Sequence, residues 1–157
     1  MENHAKQHGG HYLRLSIMIV LSFIAMYIFM YAMVNTFSDI FPNVNQFYMA
    51  GLMTSPMLII ELMVMQAMYP NKKINMAFLI AGILVLIGCY TGIRRQAAVS
   101  DEQFLKSMIP HHSSAILMCR EADVKDPEIK KLCEEIMISQ QKEIDLMKDK
   151  LKQLEKK

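Results

Sequence analysis

The sequence predicts an all-α protein in which three transmembrane helices precede a soluble, antiparallel two-helix hairpin. Residues 13–93 contain five Asp, Glu, Lys or Arg residues, whereas residues 100–157 hold 12 acids and 11 bases. The first part also consists of three apolar runs near the ~20 residues that cross a bilayer as helix. The two parts of the chain are therefore suited to different solvents, hydrocarbon and water.

The apolar part divides into three predicted spans, residues 13–37, 49–69 and 74–93. Turn-forming residues such as Pro42 and Pro70 separate them. The first run is followed by two more spans, so we expect it to remain attached rather than to be cleaved as a signal peptide. The predicted organisation is a tail with His4, His8 and His11 over 1–12, a membrane module over 13–95 and a hairpin domain over 96–157.

The distribution of basic residues predicts the orientation of the spans. The basic residues near the predicted cytoplasmic ends are Lys6, Arg14, Lys72 and Lys73. Residues 38–48 contain neither Lys nor Arg, which favours the opposite side for the first loop. We therefore expect a cytoplasmic N-terminus in the inner membrane and an extracytoplasmic domain over 94–157, although Arg94 and Arg95 oppose this orientation.

Capping patterns predict the hairpin. Ser100 followed by Gln103 resembles a capping box, and Asp126-Pro127 supplies an N-cap and a first-turn proline. The predicted helices cover about residues 101–123 and 127–154. Apolar stripes accompany both, with Phe104, Leu105, Met108, His112, Ala115, Cys119 and Ala122 on the first and Ile129, Leu132, Cys133, Ile136, Met137, Gln140, Ile144, Met147, Leu151 and Leu154 on the second.

Two helices of this size are too small to bury both apolar stripes. Pairing two hairpins into a four-helix bundle would cover them, and the membrane anchor would raise the local concentration. The expected partners are therefore the lipid membrane, a metal ion and further copies of the chain. The near-neutral charge of +2 gives no indication of nucleic acid as a partner.

Soft metal donors are concentrated in the hairpin. His111 and His112 follow a helix-breaking Pro110, and thioethers and thiols lie within a few turns. Such donors together favour Cu(I), or Ag(I) as its chemical mimic. The predicted metal ligands are His111, His112, Met108, Met118, Cys119, Cys133, Met137 and Met147. With the turn centred near residues 124 and 125, His112 is expected opposite Met137 and Gln140.

Each donor also has a purely structural interpretation. Methionine commonly fills helical cores, and a single histidine on an apolar stripe is usually hydrogen-bonded, here to Gln140. Pro110 either kinks the first helix or marks a late helix start. Cys119 and Cys133 have three open roles: a disulfide, thiolate ligands, or small core side chains.

The second span carries a candidate membrane site at Glu61, Met57 and Met65. Met49, Met53, Met57, Glu61 and Met65 recur every four residues along it. An acid inside a span costs about 2.5 to 3.5 kcal/mol on insertion scales, which makes Glu61 a functional candidate. A sulfur-lined Cu(I) pathway is one interpretation, and a simple anchor with apolar methionines is the other.

Residues 104–151 resemble the domain of unknown function 305 family, ferritin-like helical proteins that include extracytoplasmic copper-handling members. The resemblance rests on Phe104-Leu105, Met108-Ile109-Pro110-His111-His112, Ala115-Ile116 and Met118 in the first helix, and on Asp126-Pro127-Glu128-Ile129, Gln140, Glu143-Ile144 and Met147 in the second. It implies a ferritin-like half-bundle, copper binding and copper tolerance. Cys119 and Cys133 depart from the family, which more often has alanine there.

No enzymatic reaction is predicted. A di-iron centre needs Glu-x-x-His motifs, but Met108 and Ile109 stand three residues before the two histidines. The sequence instead predicts a membrane-anchored protein that captures or buffers Cu(I) outside the cytoplasmic membrane and contributes to metal tolerance. The alternatives are a structural or sensory membrane protein with the hairpin as an assembly device, and a component of a copper transporter.

Overall fold

The computed structural model describes residues 2–156, with side chains described from residue 10 onward. Within that range the chain is helical and contains no strand, which confirms the predicted all-α class. The long helices are α1 (Glu2–Phe29), α2 (Val44–Val64), α3 (Lys72–Arg95), α4 (Asp101–Glu121) and α5 (Pro127–Leu154), and short 3-10 turns occupy Met30–Met33, Phe37–Asp39 and Gln66–Met68.

The helices group into two compact units, which we call the membrane unit and the hairpin unit. The membrane unit comprises Met1–Phe29 and Phe47–Ala97, and the hairpin unit comprises Met30–Gln46 and Ala98–Lys157. The segment Met30–Gln46, which contains the loop between the first two spans and one end of each, thus belongs to the same unit as the hairpin. The sequence pattern did not indicate this.

Within the described residues, three helical stretches are long and apolar enough to cross a membrane: Gly10–Met33, Val44–Val64 and Lys72–Arg95. They agree with the three expected spans and indicate membrane association. The second begins at Val44 rather than at residue 49. The reason is local, because Oδ1 of Asn43 accepts the Gln46 N–H at 2.9 Å and caps the helix ahead of the apolar run.

The membrane unit is held by a small core and by close helix contacts. Its buried apolar cluster consists of Tyr12, Leu15, Leu58, Leu62 and Tyr69. The Tyr12 hydroxyl donates to Oδ1 of Asn75 at 2.7 Å. A Cβ at Gly51 would lie 2.6 Å from the Cys89 sulfur, so a glycine is required where these two helices approach.

The ends of the hairpin helices follow the predicted caps with one difference. Asp126 Oδ1 accepts the N–H groups of Glu128 and Ile129, and α5 begins at Pro127. Ser100 Oγ accepts the Gln103 N–H. The Gln103 side chain does not complete the capping box, because its Oε1 accepts the Val44 N–H at 2.9 Å.

The buried face of α4 is rotated from the predicted stripe. The core of the hairpin unit consists of Ile109, Ile116, Ile144 and Leu151, packed by Phe41, Leu105, Met137 and Met147. Phe104 is half exposed, whereas Ser113 is fully buried. The segment Met30–Gln46 causes the rotation, since its Asn35 N–H and Asp39 both bond the Ser113 hydroxyl. Pro110 lies inside α4, so its interpretation as a late helix start is wrong.

Candidate metal centre

His112 is the most buried of the predicted donors on α4, with 8% of its surface exposed. Its Nδ1 lies 3.1 Å from Oε2 of Glu143 on α5. The two groups are not aligned as a hydrogen bond, and Nδ1 has no hydrogen-bond partner among the described residues. The imidazole is therefore buried, held beside a carboxylate, and free to coordinate.

The electrostatics of the site favour the neutral imidazole. Burial lowers the pKa of His112 below its ordinary 6.5, and the charge of His111 acts in the same direction. The Glu143 carboxylate opposes both effects without cancelling them. Since a metal binds the neutral imidazole, His112 is in its ligand form at neutral pH.

Gln140 contributes a second unpaired polar atom. Its Oε1 is buried and has no hydrogen-bond partner within the described residues. Gln140 lies three residues before Glu143 and shares that face of α5. If His112 were only a packed core residue, it would be expected to bond Gln140. His112 Nδ1 and Gln140 Oε1 do not form that hydrogen bond. Buried polar groups are normally paired, so unpaired ones on the facing helices α4 and α5 suit a bound ion.

His111 points away from its neighbour. It is exposed, and its ring centroid lies 5.9 Å from that of His112 with the planes tilted by 57°. Adjacent residues on a helix project about 100° apart, which explains the divergence. The two imidazoles therefore do not form a preformed pincer.

The predicted methionine donors have different surroundings. Met108 is half-buried one turn before His112, on the same side of α4. Met137 and Met147 pack against the hairpin core, as their structural interpretation requires. Met118 is 52% exposed. Met108 is thus the thioether whose helical position is nearest to the imidazole of His112.

The two hairpin cysteines form a separate group. Cys119 and Cys133 are both half-buried. Hydrogen bonding to Cys133, with burial and the charge of the neighbouring thiol, raises the pKa of Cys119 to about 11. Both thiols are free. Cys119 is therefore protonated at neutral pH, which opposes its use as a thiolate ligand there.

The described residues contain no group of three His, Cys, Asp or Glu side chains arranged to hold a metal ion. A site centred on His112 would need thioether or amide donors, and thioethers are selective for Cu(I). The predicted ligand set as a whole remains a prediction.

Across the hairpin, His112 meets Glu143, which lies one turn beyond Gln140 on α5 and therefore farther from the turn than the expected partners Met137 and Gln140. Helical side chains lean toward the N-terminus of their own helix, which in an antiparallel pair displaces contacting residues by about two positions away from the turn. The expected position opposite Met137 and Gln140 stays a prediction.

Sequence reasoning missed a buried ionic cluster around Asp39. Ser113 donates to Oδ2 of Asp39 at 2.6 Å, and Lys148 Nζ lies 2.5 Å from Oδ1. Burial would raise the pKa of Asp39, but hydrogen bonds from Lys148, Ser113 and Thr36 lower it overall. The available signal was the isolation of Asp39, one of two acids within residues 13–93.

The candidate membrane residues Glu61, Met57 and Met65 stay a prediction as a site. Glu61 accepts a hydrogen bond from the Tyr69 hydroxyl at 3.3 Å, and Met65 packs against the core of the membrane unit. Met57 is half-buried. A cavity of about 600 Å³ lies between the spans, but none of these three residues lines it.

The chain matches the family described as Domain of unknown function (DUF305) over residues 90–151. It is 39% identical over 134 residues to an uncharacterized protein of Acanthamoeba polyphaga mimivirus, a match that covers 83% of this chain and 86% of the viral protein. No solved structure matches the chain. A match of that length extends beyond the hairpin into the apolar helices.

Proposed function

The chain belongs to the DUF305 family, and on that premise we propose that it is a membrane-anchored protein that captures or buffers Cu(I) and contributes to metal tolerance. The observation that carries the proposal is the buried, neutral imidazole of His112, whose Nδ1 has no hydrogen-bond partner among the described residues. Burying a polar atom without a partner costs free energy, which a bound metal would recover.

The chemistry of the surrounding donors favours Cu(I) over harder ions. Met108 supplies a thioether one turn from His112, and Glu143 lies at 3.1 Å from Nδ1. Mg²⁺ and Ca²⁺ prefer sites made of several oxygen atoms, whereas thioether and imidazole ligands suit Cu(I) and its mimic Ag(I). The negative charge of Glu143 beside Nδ1 would also favour a bound cation.

The proposed location is the extracytoplasmic side of the cytoplasmic membrane. Lys72 and Lys73 are the first two residues of α3, whereas residues 38–48 carry no basic side chain. This distribution favours a cytoplasmic second loop and a hairpin on the opposite side. We propose no catalysed reaction, because the role of the site is to hold and release the metal.

Assembly of several chains through the hairpin is part of the proposal. Large apolar side chains remain exposed on α4 and α5, among them Phe104, Met118, Ile129, Leu132, Ile138 and Leu146. A second hairpin would cover such residues in a four-helix bundle. The same observation favours the second candidate function, in which the hairpin is an assembly device and His112 is a core residue.

The test is Cu(I) affinity of the full-length protein in lipid nanodiscs, measured against a competing Cu(I) chelator. We expect His112→Ala to weaken binding about tenfold or more, which corresponds to ~1.4 kcal/mol. His111→Ala is the matched comparison, because it removes an exposed imidazole from the next position, and its effect should be smaller. Affinity should also fall as the pH drops through the pKa of His112, which lies below its ordinary 6.5.

The two candidate functions give different results in this experiment. If the hairpin is an assembly device, His112→Ala leaves Cu(I) affinity unchanged and alters the oligomeric state of the metal-free protein. Unchanged affinity in His112→Ala with retained helicity would reject the copper site. A tenfold loss with an unchanged oligomeric state would support it.

A further inference from the structure

The cavity between the spans of the membrane unit is an apolar groove. It has a volume of about 600 Å³ and is lined by all three spans, with Phe23 on α1, Tyr48 on α2 and residues between Phe78 and Cys89 on α3. At 1.5 Å per residue its course along α3 is about 16 Å, close to half of the ~30 Å hydrocarbon core. The groove is therefore about as long as one leaflet of the bilayer is thick.

The hydroxyls that line the groove are already hydrogen-bonded within the protein. Thr54 and Ser55 donate to carbonyls one turn earlier in α2, and the Tyr48 hydroxyl donates to the Ala97 carbonyl at 3.0 Å. The remaining lining residues are apolar apart from the thiol of Cys89. The groove therefore suits an apolar occupant and would desolvate an ion without replacing its ligands.

A glycine on α3 faces the open part of the groove. Gly88 is exposed, and a Cβ at that position would meet no neighbouring atom within 4 Å. A Cβ at Gly51 or Gly82 would instead lie 2.6 or 3.3 Å from a side-chain atom of another span. The groove is thus closed where the spans touch at Gly51 and Gly82 and open at Gly88.

Two arginines lie beyond one end of the groove. Arg94 and Arg95 belong to the last turn of α3. Both are exposed, and neither forms an ion pair with a described residue. Arg95 follows Gly88 by seven residues, so it lies on the same face of α3 about two turns farther toward the end of the span.

We propose that the membrane unit binds one anionic phospholipid, with an acyl chain in the groove and the phosphate at Arg94 and Arg95. The groove matches the chain in polarity and in length, and guanidinium groups donate charge-assisted hydrogen bonds to phosphate oxygens. The site also gives the two arginines a role at an end of α3 where the distribution of basic residues disfavours them.

The head group gives this site its selectivity. An acyl chain leaves one apolar environment for another when it moves from the bilayer into the groove, so its burial contributes little. A basic side chain beside an anionic lipid changes the affinity about fivefold. The groove fixes where the lipid lies, and the two arginines together favour an anionic head group by about tenfold or more.

The experiment measures lipid binding to the full-length protein by native mass spectrometry. The protein in detergent micelles is titrated with phosphatidylglycerol or with phosphatidylcholine of the same acyl chains. Phosphatidylglycerol should bind about tenfold or more tightly, and Arg94→Gln/Arg95→Gln should remove that preference. Lys72→Gln/Lys73→Gln is the matched control, because it removes the same charge from the other end of α3, and it should retain the preference.

Gly88→Phe tests the groove itself, because its ring would occupy the open space. It should weaken the binding of both lipids by about tenfold. Ile87→Phe is the matched control, since it adds the same ring at the next position, which is 54% exposed and does not line the groove. Circular dichroism checks that each variant keeps its helicity. If Gly88→Phe does not fold, the arginine variants decide the result.

Equal affinity of the wild type for the two lipids would overturn the proposal. So would a loss of preference in the lysine variant as large as in the arginine variant, or unchanged lipid binding in a helical Gly88→Phe variant. Displacement of phosphatidylglycerol by inorganic phosphate would assign the arginines to a free anion and reject the lipid. A dimer that dissociates in Gly88→Phe would show that a second copy of the chain fills the groove, which also rejects it.

Discussion

The membrane unit and the hairpin unit satisfy their buried polar groups in different ways. In the membrane unit, the hydroxyls of Thr54 and Ser55 donate to carbonyls one turn earlier in α2, at 2.8 and 2.7 Å. In the hairpin unit, Ser113 and Lys148 both reach Asp39, a residue more than 70 positions away in sequence. The buried hydroxyls inside α2 thus bond locally, and the long-range contact of Tyr12 with Asn75 lies near the ends of two spans, whereas the buried polar cluster of the hairpin unit is long-range.

The solvent of each unit explains the difference. Lipid gives no hydrophobic driving force between helices, so a span satisfies its own polar groups and associates with its neighbours through close packing. The close approach of α2 to α3, where Gly51 lies against Cys89, is an example. In water, apolar burial provides the driving force, and long-range polar contacts select one arrangement of the segments. The stability of the hairpin unit should therefore depend on a few core and ionic contacts.

The largest expected effect is that of Ile144→Ala, which removes a side chain with 0% exposure from the hairpin core. It should lower the free energy of opening of α4 and α5 by about 3 kcal/mol. Leu58→Ala, in the core of the membrane unit, should cost less because lipid chains solvate apolar side chains in the alternative state. Amide hydrogen exchange of the two units in nanodiscs measures both.

Ile138→Ala is the control on α5, since Ile138 is 73% exposed. It should leave exchange in the hairpin unit nearly unchanged. If Leu58→Ala and Ile144→Ala lowered the free energy of opening equally, the proposed difference between the membrane unit and the hairpin unit would be wrong.

A smaller loss is expected for Asp39→Ala, about 2 kcal/mol of hairpin-unit stability. This figure is below that for a fully buried pair, because the Lys148 side chain is 25% exposed. The pKa of Asp39 lies below its ordinary 3.8, so the same contribution is present above pH 3.8 and is lost as the pH falls through the lowered pKa. Faster amide exchange within Met30–Gln46 and α4 measures the loss.

Asp39→Asn separates charge from hydrogen bonding, because the amide oxygen can still accept from Ser113. It should retain part of the stability and lose the acid transition. Unchanged exchange in both variants would show that the segment Met30–Gln46 does not order the hairpin.

The fold was largely predictable, because the spans and caps depend on local composition. Asp126-Pro127 predicted the start of α5 correctly, and the three apolar runs predicted the bounds of the spans to within several residues. The buried face of α4 was not predictable, because it depends on Asp39 packing from a distant segment. Periodicity reports which face of a helix is apolar, and it does not report which other segment covers that face.

The candidate site was partly predictable for the same reason. The position of His112 on the inner face of the hairpin follows from helical spacing, and its burial agrees. The contact with Glu143 does not follow, because it depends on the lean of side chains in an antiparallel pair. A charged residue beside an apolar stripe gives no signal in a periodicity analysis.

Acidification should destabilise the metal-free hairpin unit more than the membrane unit. Because the folded pKa of His112 lies below its ordinary 6.5, the unfolded state binds the proton more readily. The contribution of His112 to the free energy of unfolding is then fully present above pH 6.5 and is lost as the pH falls through the lowered pKa. Glu143 and His111 are the charged neighbours that tune this window. Thermal unfolding at a series of pH values measures it, with His112→Gln as the non-titrating variant.

In the exposed-imidazole control His111→Ala, most of this pH dependence should persist. A pH profile that is identical in wild type and His112→Gln would assign the acid sensitivity to another group.

The smallest expected effect is that of Glu61→Gln, which should leave Cu(I) affinity unchanged. Glu61 lies in α2 and accepts a hydrogen bond from Tyr69, and a glutamine carbonyl oxygen can accept the same bond. The proposed ligands belong to the hairpin unit, so the substitution alters neither His112 nor its neighbours. Chelator competition on the full-length variant tests this. A loss of affinity would show that the two units share one copper site, and a loss of cellular copper movement with unchanged affinity would favour the transporter interpretation, in which Glu61 acts on the metal inside the membrane.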